Sequence, residues 1–298
     1  MRSRVRLLQI EENYPVWRAY AHARGLHPAI LSYLELHPEH FYCVQPHAHG
    51  RSFVTARGWE DLSRVLMSYE QLGFQAEDVL FGEFLQHEEI AASFAAYHKL
   101  FCACREKLAL PQILSGQTDT AAPELRALRF DGRLAAVELL LHALKTELAQ
   151  ARAQSELSGS LASFLSALER EPDRLSAART HLARRESAMQ VKKDCGVLPA
   201  EEEARERRFA AKVRACLEGE SGLAVLESEA ERSRAAAQTA AEASAVHLEN
   251  ALTFVRGTFG PGQELLIFLT QLQNLPDAQP FLRKSAQFAP LLREVLPE

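Results

Sequence analysis

The chain is poor in the residues that interrupt helices and in the motifs that handle phosphate. Glycine (14) and proline (13) are both below ordinary usage in 298 residues, while alanine, leucine, glutamate and arginine abound, the composition of a helical protein. No GxxxxGK[ST] phosphate loop, Gly-rich dinucleotide fingerprint, HExxH pair or GxSxG elbow occurs, so no motif marks the chain as an enzyme by itself. No apolar run approaches the roughly 18–20 residues of a membrane span; the longest, Ala135–Leu144, is interrupted by Glu138 and His142. Arg2, Arg4 and Arg6 precede only Leu7 and Leu8, too short for a secretory signal, which predicts a cytoplasmic protein. There is no basic excess: 34 Lys and Arg against 39 Asp and Glu give a net charge of −5, which argues against a general nucleic-acid binder. Five scattered cysteines (Cys43, Cys102, Cys104, Cys195, Cys216) read as reduced thiols buried as small apolar residues. Cys102-x-Cys104 has no second ligand pair and predicts no zinc site.

What is present is helical periodicity. Ile90, Phe94, Tyr97 and Phe101 fall on one helix face, as do Leu134, Val137, Leu141, Leu144 and Leu148. Leu157, Leu161, Phe164 and Leu168 form a third seam, and Ala245, Leu248, Leu252 and Val255 a fourth. Such seams predict antiparallel helices packed in a bundle. Asn13 caps a helix with Pro15 in its first turn and Gly25 at its end, and Pro28 opens the next. Thr55 caps a helix that Gly73 ends, and Pro199 precedes the acidic start Glu201-Glu202-Glu203. Only Val5–Ile10 reads as extended, and a lone strand has nothing to satisfy its backbone. The predicted class is mostly α: short helices, then long antiparallel ones, with one residual N-terminal strand. The boundaries run 1–12 for the strand, 13–116 for short helices with aromatic faces, 117–123 for a polar linker and 124–298 for the long, Ala-rich, charged helices. Glu201–Arg208 and Glu227–Arg234 lack an apolar stripe and read as solvated faces or a projecting hairpin.

Three constellations could carry chemistry. His47-x-His49, with His40 nearby, could ligate a metal, although a plain polar loop accounts for them as well. Arg179, Arg184, Arg185, Lys192 and Lys193 cluster with Glu186 and Asp194 between them, the pattern of a solvated helix face. In the stretch Thr55–Leu62, Arg57 occupies the first turn of a capped helix, where the helix dipole mildly disfavours a cation. It is either a surface ion pair with Glu60 or Asp61, or a phosphate site in which a guanidinium fork joins a helix N-terminus.

Several of these stretches together resemble one family. Glu11-Glu12-Asn13-Tyr14-Pro15-Val16-Trp17, then His27-Pro28, then Phe53-Val54-Thr55-Ala56-Arg57-Gly58-Trp59-Glu60-Asp61-Leu62 resemble the lid region of MoxR-type AAA+ ATPases. Tyr69-Glu70-x-x-Gly73, Phe84-Leu85-Gln86, Ile90-Ala91, Phe94-Ala95-x-Tyr97 and Phe268-Leu269-Thr270 fit the same pattern. The resemblance is specific over residues 4–116 and thin across the long helices.

In this family an α/β nucleotide core ends in a strand and a helical lid follows, so the resemblance implies that Val5–Ile10 is that last strand. It implies that Arg57 is the second-sensor arginine, reaching the γ-phosphate of ATP bound to the core, with Thr55 as its helix cap. Where the family usually reads Ser-Pro-Arg, this chain reads Thr-Ala-Arg: the cap and the cation are kept and the proline is lost. Arg4 sits near the family's arginine finger. ATP and Mg2+ are implied for a complete protein, as are neighbouring ring subunits and partners with von Willebrand factor A domains. Since the phosphate loop, the magnesium-binding motif and the first sensor have no counterpart, the expectation is the lid and C-terminal region of an ATPase, inactive alone. A start codon placed too late, a truncated gene or a split ancestor would each produce it. Two readings compete: a stand-alone helical interaction module built on residues 124–258, and a metalloenzyme using His47 and His49.

Overall fold

The structure, a computed structural model, describes residues 11–47, 50–117, 122–219, 221–288 and 290–291. Val5–Ile10, Arg4 and His49 lie outside the described residues. The chain is mostly α, and among the described residues no helix is long and apolar enough to cross a membrane.

Local chemistry sets the first helices. Helix α1 (Tyr14–Arg24) starts where Asn13 Oδ1 accepts the Val16 N–H at 3.0 Å, and it ends where Gly25 turns left-handed at φ 68°. Helix α2 (Pro28–Leu36) opens on its proline, with His27 Nδ1 accepting the Ala29 N–H at 3.2 Å. A single 3-10 turn (Pro38–His40) then leads into an antiparallel hairpin of β1 (Cys43–His47) and β2 (Gly50–Val54). After the hairpin come α3 (Ala56–Leu72), closed by Gly73 at φ 73°, then α4 (Asp78–Phe84), α5 (Glu88–Lys107), α6 (Leu110–Leu114) and α7 (Ala122–Arg126).

The hairpin differs from the reading of this stretch as a polar loop. Its register pairs Cys43 with Val54, Val44 with Phe53 and His47 with Gly50. Alternation is faint here because Pro46 and polar residues interrupt it, and two strands alone are marginal. Tertiary contacts supply the rest: the Phe53 N–H and the Ser52 hydroxyl both donate to the Gln86 carbonyl, at 2.9 and 2.8 Å.

Four long helices follow: α8 (Phe130–Leu168), α9 (Arg174–Asp194), α10 (Ala200–Cys216) and α11 (Gly222–Phe259); α12 (Gln263–Gln273) and α13 (Gln279–Leu282) complete the described elements. The chain groups into two compact units, and the division falls inside α8, after Ala143, and inside α11, before Asn250. Residues 13–116 lie wholly in the first unit, together with residues 124–143 and Asn250–Pro276. Leu144–Glu249 and Asp277–Lys284 form the second.

In the first unit, Phe94 sits at the centre of an aromatic core. Tyr33, Trp59 and Phe81 meet it edge-on, at centroid distances of 5.2, 5.3 and 5.2 Å. Each ring is fully buried, and each such pair adds about 0.5–1.5 kcal/mol beyond its area burial. Every residue of Leu134–Leu141 is buried, Glu138 included, so these two turns of α8 are enclosed on all sides and are more than a one-faced seam.

In the second unit the apolar core is a band that includes Leu161, Phe164, Leu168, Phe209, Val213 and Leu226. Ion pairs flank it. Arg185 bonds Glu206 through two nitrogens at 2.6 and 2.9 Å, Lys192 meets Glu202 at 2.8 Å, and Lys193 meets Glu203 at 2.7 Å. The basic run of α9 is thus paired with the acidic start of α10.

Candidate functional site

The N-terminus of α3 is built by its neighbours. Thr55 is extended (φ −138°, ψ 161°), and its Oγ1 accepts the Gly58 N–H at 3.3 Å. Trp59 is fully buried, with its indole N–H shared between the carbonyls of His40 (3.3 Å) and Phe41 (3.2 Å). Gly58 faces the end of α4 so closely that a Cβ there would stand 2.7 Å from the Phe84 carbonyl oxygen. Only glycine permits that approach. The first turn of α3 is therefore pinned by β2, α4 and the 3-10 turn.

Arg57 projects from this rigid base with its side chain 90% exposed. Its partner is Asp61, with Nε 3.5 Å from Oδ2. Asp61 is shared with Arg64 at 2.6 Å, and Glu60 accepts the Tyr20 hydroxyl at 3.4 Å. A cation placed N-terminal to its acidic partner is the weaker order of an i,i+4 pair, so the arginine is held loosely. The donor set suits one contact to a terminal phosphate. With Glu60 and Asp61 beside it, it does not make a nucleotide site alone.

The other residues that carry the family resemblance are framework. The His27 backbone N–H donates to Ser63 Oγ at 2.8 Å, and its Nε2 lies 3.1 Å from Glu70 Oε1. Burial acts to raise the Glu70 carboxyl, but the bonds and charges of His27 and Arg105 outweigh it and hold the group well below the usual carboxylate range. Trp17, Ile90, Phe94 and Tyr97 are buried. His98, next to this network, is pushed down to about 4, by burial first and then by His27.

The remaining candidates fall in separate places. His47 pairs with Gly50 in the hairpin register, whereas His40 belongs to the preceding 3-10 turn. His40 lies with His37 and Glu39, a grouping that the spacing His37-Pro38-Glu39-His40 carries and that does not include His47. Its Nδ1 is 2.7 Å from the Tyr33 hydroxyl, and burial pushes its basicity down. Glu39 is held low by its own backbone N–H, with His37 and His40 adding to the effect.

Cys102 and Cys104 both have thiols raised by burial and so are not activated nucleophiles. Cys104 is buried, Cys43, Cys102 and Cys216 are half-buried, and Cys195 is exposed beyond α9. Among the described residues, Arg57 is the motif cation left facing solvent on a rigid base. No protein-family model, no curated protein and no solved structure matches this chain.

Proposed function

We propose that residues 13–116 act as the helical lid, and residues 124–298 as the C-terminal helical region, of a MoxR-like AAA+ ATPase, a cytoplasmic ATP-driven chaperone that remodels partner proteins. The observation that carries this reading is the division of labour among the residues of the resemblance. His27, Glu70, Gly58, Trp59 and Phe94 are engaged in the fold, while Arg57 is 90% exposed at a capped helix start. In this reading Arg57 contacts the γ-phosphate of ATP held by the core, steadies charge during phosphoryl transfer and couples lid rotation to nucleotide state. Thr55 sets the helix start, and Arg4 reaches the neighbouring subunit. ATP and Mg2+ belong to the core that supplies the phosphate loop. Partners with von Willebrand factor A domains are the remodelling targets.

Two measurements test it. The reading frame upstream of the Met1 codon should encode GxxxxGK[ST] and an acidic magnesium-binding motif. In the protein that joins these residues to such a core, Arg57→Ala should lower kcat on the order of 10²-fold while ATP still binds. Unchanged turnover removes the assigned role. A second reading, a helical protein-interaction module, draws on the compactness of Leu144–Glu249 about its own core. It predicts that partner capture in a pull-down is indifferent to nucleotide and to Arg57→Ala. Capture that requires nucleotide favours the lid.

A further inference from the structure

The turn between α2 and β1 gathers three metal-ligating side chains within four residues. His37 Nδ1 lies 3.3 Å from Glu39 Oε1, and His40 Nε2 lies 3.8 Å from the same oxygen. One ligand atom from each of the three side chains falls within 4.8 Å of the others. Bonds of about 2.1 Å to a tetrahedral ion set its ligand atoms about 3.4 Å apart, so two of the three separations already fit to within a few tenths of an ångström. The imidazoles are stacked, with planes 15° apart and centroids 5.0 Å apart. Convergence on an ion needs one ring to turn. His37, with its side chain 40% exposed against 24% for His40, is the ring with more room to do so.

His40 is held from behind. Its Nδ1 is engaged at 2.7 Å by the hydroxyl of Tyr33, which is fully buried against Trp59 and Phe94. Its carbonyl accepts the Trp59 indole N–H. This leaves Nε2 on the side of Glu39 and orients the ring through its other nitrogen, as partners behind metal-bound histidines do. His87 is the buried N-cap of α5, and its Nε2 has no hydrogen-bond partner.

We propose that His37, Glu39 and His40 bind a divalent ion of the zinc class through two imidazole nitrogens and a carboxylate oxygen. Water completes the coordination, because three ligands are gathered here among the described residues and Glu39 is open to solvent. Tyr33 is a positioning residue. The site stands on the turn itself and is independent of the role of Arg57.

The test uses the full chain, purified without a histidine tag and stripped by chelator. Cobalt(II) serves as the spectroscopic probe and zinc(II) as its competitor. One equivalent of cobalt should bind with the visible ligand-field bands of low coordination number, and zinc should displace it. His37→Gln, at a half-buried position, and Glu39→Gln, at an exposed one, should each weaken binding at least about tenfold with helicity unchanged. The double variant His47→Gln/His49→Gln should bind as the parent does. A chain that takes up neither ion overturns the proposal. So does binding untouched by His37→Gln and Glu39→Gln, or binding lost in the His47/His49 variant.

Discussion

The two compact units hold themselves together by different means. In the first, fully buried aromatic rings converge on Phe94, and buried polar groups such as the His27 and Trp59 N–H donors have defined partners. In the second, an apolar band is flanked by charged pairs between α9 and α10, and one pair merges with the core: the Arg185 guanidinium lies 3.9 Å from the Phe209 ring centroid. The contrast teaches where each unit is vulnerable. Loss of volume should damage the first most, and salt should be felt by the second.

The strongest test of that contrast is Phe94→Ala. Truncating a buried phenylalanine costs about 3–5 kcal/mol, and here three edge-on ring contacts go with it. Both tryptophans, Trp17 and Trp59, belong to the first unit, so tryptophan fluorescence during urea unfolding reports that unit directly. The expected outcome is a large drop in the midpoint by fluorescence. An unmoved fluorescence transition would mean that Phe94 is not the keystone.

Acid should also find the first unit first. The folded state keeps His98 neutral, with its pKa pushed down to about 4 from 6.5, chiefly by burial. An unfolded chain takes up that proton below about 6.5, so the His98 contribution is full above 6.5 and is lost as the pH falls toward 4. The shift is worth on the order of 3 kcal/mol, since the ring is almost wholly buried. His40, also depressed by burial, adds in the same direction. Glu70 acts lower: its depressed carboxyl gives stability above the unfolded carboxylate range that is lost only in stronger acid. His98→Gln should flatten the stability profile between pH 6.5 and 4 without altering the fall in stronger acid. An unchanged profile would place the titration elsewhere.

Within the second unit the pairs should rank by enclosure. Arg185–Glu206 is bidentate, and Glu206 is only 15% exposed, so Glu206→Ala should cost about 1.5–3 kcal/mol by urea unfolding followed by circular dichroism. Lys193→Ala, at an exposed pair, should cost under about 1 kcal/mol. Molar salt should erase most of the second effect and less of the first, because screening reaches exposed charges far better than enclosed ones. Equal costs for the two variants would contradict the ranking.

What the sequence makes legible here is local. Asn13 and Thr55 start their helices and Gly25 and Gly73 end them as their types demand, because a cap needs only its own neighbouring residues. The seam Ile90, Phe94, Tyr97, Phe101 is the buried face of α5 for the same reason. The hairpin of β1 and β2 is not legible, since it depends on Gln86, more than thirty residues away. Nor is the pairing of α9 with α10: Lys192 and Glu202 look solvated until the chain doubles back. At the candidate site, the cap and the exposed arginine are local and readable. The close approach of Gly58 to Phe84 is a product of the fold, whereas the His37–Glu39–His40 grouping lies in one short turn between Leu36 and Phe41.

The smallest expected effect separates framework from function at α3. Thr55→Ala removes a side-chain cap and should cost about 1 kcal/mol, because the Gly58 N–H loses its acceptor. Arg57→Ala should change folding stability by less than about 0.5 kcal/mol in either direction. Its ion pair with Asp61 is exposed and in the weaker order, and removing a cation from a helix N-terminus relieves a mild repulsion. Chemical unfolding of the two variants side by side measures both. If Arg57→Ala costs as much as the cap does, the arginine is part of the scaffold, and the reason for assigning it to a phosphate disappears. If only Thr55 matters to folding, Arg57 is free of the fold and its place is explained by what it meets outside it.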